Sequence, residues 1–260
     1  MMGSIMRRLW LVLIIVVAAS AVLGVLVVAI TLFLTPGSSP FSTGSNATPP
    51  ATSAVLAPLP PPNPAASGPS VADLAAPDWV ARVAAATGIP VTALQAYSGV
   101  ALSISKANPS CGLSWNTIAA VGWVESHNGE LHGRTLTATG EVTPPLYGVA
   151  LNGNGYALIP DSDGGAIDGD KTGDRAVGPM QFLPGSWRNW HTDANGDGVE
   201  DVQNIFDSSL AAGHYLCRAG KDLDTMSGWR TAILAYNSSN AYLQEVIDTA
   251  NKYADVAAKA

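Results

Sequence analysis

The sequence predicts a mainly helical protein in three parts: one N-terminal membrane-spanning helix, a disordered linker and one compact helical domain. Three observations predict it. An uncharged apolar run of 26 residues, Leu9 to Leu34, follows Arg7 and Arg8. The next 37 residues, 35–71, carry no charge and are rich in Pro, Ser, Ala, Thr and Gly. Residues 72–260 then place apolar side chains at helical spacing, with little strand-like alternation.

The apolar run is long enough to cross a bilayer as a tilted helix. A cleaved signal peptide is the competing reading. The length of the run and the poor site at Leu32–Pro36 favour an uncleaved anchor. Arg7 and Arg8 place residues 1–8 in the cytoplasm and everything after residue 34 outside the membrane. No cysteine lies near the run for lipid attachment. The linker holds too few large apolar groups to form a core. Fully extended, it would reach at most about 110 Å from the membrane.

Residues 73–260 hold 11 basic against 20 acidic residues, a net charge of −9. No basic patch is available to neutralise phosphates, which excludes nucleic acid as a partner and disfavours adsorption to anionic lipid. Cys111 and Cys217 are the only two cysteines. Outside the membrane an even pair is most simply one disulfide, with two buried thiols as the alternative.

Within this domain the elements follow from period and punctuation. Pro77 starts an amphipathic helix that Gly88 ends. Val91 to Lys106 forms a second, stopped by Asn108 and Pro109. Ser114 is the expected N-cap of a third helix, with Gly129 as its stop. Residues 130–178 have no sustained period and are crowded with Gly, Asp, Thr and Pro, as functional or disordered loops are. Helical character returns weakly at Met180–Trp187. It is clear at Ser208–Ala219, with Asp207 as cap, and at Ser227–Tyr236. It returns from Ala241 to about Ala258, with Asn240 as cap.

Glu125 is the only acidic residue between Asp78 and Glu130. With Trp115, Ile118 and Gly122 it falls on one stripe of the third helix. An acid on a buried face is costly as an anion unless it is paired or keeps its proton. The stripe therefore admits two readings of equal weight, a salt-bridged structural glutamate and a general acid.

Ten of the 20 acidic residues lie between Asp161 and Asp207. Asp193, Asn195, Asp197, Val199 and Asp201 fit positions one, three, five, seven and nine of a Ca2+ loop, with Gly198 at the sharp turn. Position twelve is Asn204 in place of the usual glutamate, which predicts weak or altered binding. A plain polar turn is the other reading. The second cluster, Asp161 to Asp170, is less regular and admits an ion site, a sugar-lining loop or, as the favoured reading, a solvated acidic loop. Ser103–Lys106, Ser114–Asn116 and Lys171–Gly173 mimic a penicillin-binding signature, but Ser103 lies late in its helix and Lys171 has no strand around it. The four histidines include no metalloprotease spacing.

Four segments occur in order: the Glu125 helix, Gly129–Leu136 (GELHGRTL), Ala176–Trp187 (AVGPMQFLPGSW) and Ala235–Asn237 (AYN). Together they resemble the lytic murein transglycosylases, closest to the membrane-bound B type in its actinobacterial form, over about Ala76 to Tyr253. The resemblance implies a lysozyme-like α+β fold and cleavage of the β-1,4 bond between N-acetylmuramic acid and N-acetylglucosamine. Its partner would be the peptidoglycan strand on the outer face of the cell membrane. It implies Glu125 as the single acid and base. Gln181 would line the cleft, Tyr236 and Asn237 would lie near the carboxyl, and Thr172 would orient a sugar. Ser126, which follows the acid, and Tyr147 and Tyr156 complete the expected substrate-binding set. The B-type family also carries an EF-hand-like Ca2+ site in this part of the chain. A muramidase using water with Asp170 or Asp174 as base, and a non-catalytic Ca2+-stabilised glycan-binding module, are the alternatives.

Overall fold

A computed structural model describes residues 51–154 and 157–260. The membrane run, the first part of the linker and Tyr156 lie outside the described residues. Among those described, no helix is long and apolar enough to cross a membrane.

Seven α-helices build the domain: α1 (Pro77–Thr87), α2 (Val91–Ala107), α3 (Trp115–Ser126), α4 (Pro184–Trp190), α5 (Ile205–Gly220), α6 (Met226–Tyr236) and α7 (Asn240–Ala257). The only paired strands among the described residues are β1 (Thr135–Leu136) and β2 (Val142–Thr143), which run antiparallel. The core gathers around α2 and α3. Leu94, Tyr97, Val100 and Ala101 of α2 and Ile118, Ala119 and Val121 of α3 are fully buried. Helix α2 packs against α3 and α5, and α3 packs against α7.

The helix starts and stops expected from sequence are met to within a few residues, but Ser114, at the N-cap of α3, bonds to Thr117 Oγ1 and makes no cap bond, and three further ends differ. Asn204, not Asp207, caps α5, its side chain accepting from Phe206 N. Ser239, not Asn240, caps α7 by accepting from Tyr242 N. Helix α3 stops at His127, two residues before Gly129, with His127 and Asn128 both left-handed. That conformation is uncommon outside glycine. Here Asn128 is buried, accepting from Tyr97 Oη at 3.1 Å and donating to Tyr253 Oη at 3.3 Å. Two tyrosines thus hold the turn that a glycine would make freely.

The linker assignment needs correction for residues 51–71. They lie against the domain as a strap. Ala57 and Val71 are buried, and Pro62 pairs with Ala75. Val71 N donates to Ala194 O at 2.8 Å. At Gly99 of α2 a Cβ would come within 1.9 Å of Val71 O, so the strap crosses directly over that glycine. Composition misses this packing because the strap brings few apolar groups of its own. Its backbone is satisfied by domain amides: Asn116, Gln244 and Asn251 all bond to it.

The expected disulfide is present. Cys111, in a short 3-10 turn, joins Cys217 of α5 with Cα atoms 5.3 Å apart across 106 residues of sequence. The chain-entropy argument gives such a loop about 4–5 kcal/mol. Replacing both cysteines by serine is expected to lower stability by about 2–5 kcal/mol in denaturant titration. A midpoint equal to the parent's would show that helix packing alone fixes this end of α5.

Candidate active site

Helix α3 is buried on nearly all sides along its first two turns. The packing is close at Gly122, where a Cβ would lie 2.1 Å from Tyr97 Oη. Glu125 sits in the last turn, half-buried, where the helix reaches the surface. Tyr242 Oη, from the first turn of α7, donates to Glu125 Oε1 at 2.6 Å. No Lys, Arg or His among the described residues lies within ion-pair distance of Glu125. Burial pushes its carboxyl up to about 7, and the Tyr242 bond pulls the other way. The salt-bridged reading of this glutamate therefore has no partner to rest on.

Ser126, the next residue and an expected substrate ligand, points into the domain rather than to the surface. It is buried and its hydroxyl is engaged: its one proton goes to Pro179 O at 2.6 Å, with Gly122 O also within reach at 3.2 Å, and its oxygen accepts from Gly129 N at 2.8 Å. Its role is to fasten the turn at 178–181 to α3. Val177 and Phe182 pair across that turn. Gly178 has φ of 75° and no room for a side chain, since a Cβ would lie 1.9 Å from Val202 O.

Gln181 is also left-handed, at φ 50°, with its Nε2 donating to Gly178 O at 2.9 Å. A non-glycine residue held this way is strained, and such strain collects at ligand sites. Tyr236 Oη donates to Met180 O at 2.7 Å. It does not bond to Glu125, although the two are close enough for the carboxylate charge, together with burial as the larger cause, to push the phenol up.

Gln181, Phe182, Leu183, Ser186, Tyr215 and Tyr236 line a small cavity of about 90 Å³. Its walls are aromatic. Tyr236 meets Phe182 and Tyr215 edge-on at 6.1 and 5.5 Å, Phe182 meets Trp187 at 5.7 Å, and Tyr215 meets Trp190 at 5.6 Å. Trp187 is core and Trp190 half-buried. Glu125 is not among the residues lining this cavity and approaches it through Tyr236; larger clefts open elsewhere, under the strap and between α2 and α5, and Glu125 lines none of them either.

Of the remaining expected ligands, Tyr147 is 44% exposed and pairs with Val177, beside the 178–181 turn. Asn237 is exposed at the end of α6, its Oδ1 accepting from Ser239 N. Thr172 belongs to a different arrangement. Its Oγ1 and N both donate to Asp170 Oδ1, at 2.6 and 2.9 Å, and Asp170 pairs with Arg175 at 2.7 Å. The Thr172 bonds, with Arg175, hold Asp170 down to about 2.

Tyr242 is the residue that sequence reading missed. Its position one turn into a helix and six residues after Tyr236 was the available signal. Burial and the facing carboxylate push its phenol well above the usual range, so it stays a donor.

The proposed Ca2+ loop keeps its expected turns. Asp193 accepts from Gly196 N and Gly198 N, Asn195 from Asp197 N, Asp197 from Val199 N, and Asp201 from Gln203 N. The donors are all oxygen, which suits a hard cation. Asn204 turns away, capping α5 and donating to Thr139 O. Buried Asp207 sits beneath the loop instead, accepting from Ala194, Asn195 and Asp201 N. Burial, aided by Asp193, pushes it up to about 6. Among the described residues, the group bringing three carboxylate oxygens within 4.8 Å is a different one: Asp161, Asp163 and Asp174.

No protein-family model, curated protein or solved structure matches this chain.

The raised carboxyl has a consequence for stability. Between about pH 4.5 and 7 the folded state holds a proton on Glu125 that the unfolded state has released. Stability from this group is therefore fully present below pH 4.5 and falls as pH rises to 7. Relative to the parent, Glu125→Gln is expected to gain on the order of 3 kcal/mol between pH 4.5 and pH 8. Parallel stability curves for the two proteins would show that Glu125 titrates normally.

Proposed function

We propose that the domain is a lytic transglycosylase that cleaves the β-1,4 bond between N-acetylmuramic acid and N-acetylglucosamine and leaves 1,6-anhydromuramic acid ends. The observation that carries this reading is a single half-buried carboxyl, without a counter-ion, lifted to about 7 and close to Tyr236, which lines an aromatic-walled cavity. A group with that pKa is proton donor and acceptor in comparable measure near neutrality. The ordered motifs of the sequence point to the same family.

Tyr242 occupies Oε1, so Oε2 is the oxygen left to face the glycan. Oε2 gives its proton to the leaving oxygen of the scissile bond. The carboxylate that results is stabilised by Tyr242 and then takes the proton of the muramic acid 6-hydroxyl. That oxygen bonds to the anomeric carbon and closes the anhydro ring, so no water enters. The substrate's N-acetyl group supports the cation between the two steps. Gln181 on the cavity wall, Tyr147 beside the 178–181 turn and exposed Asn237 at the end of α6 are the side chains we propose for sugar hydroxyls and amides.

The hydrolytic alternative needs a second carboxylate to activate water. The two acids considered for it are engaged elsewhere. Asp174 is buried and accepts from Ser162 N and Oγ, and Asp170 is held by Thr172 and Arg175. The reading also places the domain outside the membrane on an N-terminal anchor, with peptidoglycan strands as its partner. We further propose that the loop at Asp193, Asn195, Asp197, Val199 and Asp201 takes Ca2+. A cation there would relieve the repulsion between Asp193 and Asp207.

Digestion of purified peptidoglycan tests the reaction. The products are expected to be lighter by one water than those of a muramidase, and Glu125→Gln is expected to lower the rate by at least about 100-fold. Equal rates for parent and variant would end the catalytic assignment. For the loop, removal of Ca2+ by a chelator is expected to lower the melting temperature by several degrees, and readdition to restore it. An unchanged melting temperature would argue for a plain polar turn.

A further inference from the structure

Asn116 lies in the first turn of α3 and is completely buried. A buried side-chain amide needs a partner for each of its polar atoms. Its three bonds reach two other parts of the chain. Oδ1 accepts from Ala57 N at 2.9 Å, and Nδ2 donates to Val55 O at 2.7 Å and to Ala250 O of α7 at 3.0 Å. One side chain thus joins α3, α7 and the strap.

The strap is fastened to α7 separately. Asn251 accepts from Val55 N and donates to Ser53 O at 3.1 Å, and Gln244 donates to Ala51 O at 3.0 Å. Residues 51–57 therefore run along α7 and end over the seam between α7 and α3.

The same two helices meet again at the Tyr242–Glu125 bond. Asn116 and Glu125 are separated by about 13 Å of helix rise, and Ala250 and Tyr242 by about 12 Å. The contacts pair 116 with 250 and 125 with 242, so α3 and α7 run side by side in opposite directions. They are joined by a polar rung at each end. One rung is the amide clasp with the strap and the other is the proposed catalytic pair. Apart from one further hydrogen bond, from Asn128 just past α3 to Tyr253 of α7, the contact between them is apolar and non-directional, with Ile118, Ala119, Val246 and Ile247 buried. Apolar packing alone leaves sliding and rotation weakly specified.

We infer that Asn116 and the strap at residues 51–57 are positioning elements for Glu125, fixing the register of α3 on α7 and thereby the Tyr242–Glu125 hydrogen bond. The inference rests on the proposed role of Glu125 for its functional meaning, but not for its geometry. It makes residues 51–57 part of the working site. Loosening the strap shifts α7 and lengthens the bond that favours the Glu125 carboxylate.

The test reads the pH midpoint of the Glu125 carboxyl by 13C chemical shift in the full chain. This needs no activity, so a failure to digest peptidoglycan leaves it interpretable. Tyr242→Phe is expected to raise the midpoint by removing the bond. Asn116→Ala is expected to raise it in the same direction, by about half a unit. In the Tyr242→Phe background, Asn116→Ala is expected to move it no further, because both act through one bond. Gln244→Ala with Asn251→Ala frees the strap without altering the core, and serves if Asn116→Ala does not fold. It is expected to give a smaller shift of the same sign. An unmoved midpoint in the variant that folds, or an undiminished shift in the Tyr242→Phe background, would overturn the inference and leave the strap a stability element only.

Discussion

A carboxyl group held without a counter-ion at the exit of the domain's central helix is the constraint on which the site depends. Glu125 has a hydroxyl for a partner, from Tyr242, where a structural glutamate would have a cation. Burial drives the carboxyl toward the neutral acid while the phenol favours the anion. The two effects oppose each other, and the balance falls near neutrality. That balance survives only if α7 stays in register with α3 and if no basic side chain swings in.

The surrounding polar groups keep these conditions. Ser126 spends its oxygen on Pro179, Gly122 and Gly129, which clamps the 178–181 turn to the end of α3. Tyr236 holds the same turn from the far side through Met180. Asn128, between Tyr97 and Tyr253, fixes the abrupt helix stop that brings Glu125 to the surface. Each of these groups is buried or half-buried and satisfied, so each specifies geometry as well as adding stability. The residues flanking the proposed acid are thus mostly scaffold, and under the proposed function fewer side chains would face a glycan than the motifs suggest.

Helices were legible in the sequence because their signals are local. Pro77, Gly88 and the Asn108–Pro109 pair punctuate α1 and α2 within a turn of where they act. Asp207 misled for the same reason. It has the right type and position for an N-cap, but three backbone N–H groups of the loop at 194–201 claim it first. The strap was illegible because its partners, Asn116, Gln244 and Asn251, lie far along the chain. Small and proline-rich residues packed by another segment's amides have the same composition as a linker.

By itself the sequence determined the helical class, most helix boundaries, the cysteine pair and the singular position of Glu125. Those depend on period, composition and neighbours within about four residues. The tertiary structure alone decided that Tyr242 is the partner of Glu125 across 117 residues. It also decided that Ser126 faces inward to a turn 53 residues away, and that residues 51–57 belong to the domain. These are outcomes of competition for hydrogen bonds in a crowded interior. Which donor meets which acceptor is settled there by the packing of whole helices, and no local pattern encodes it.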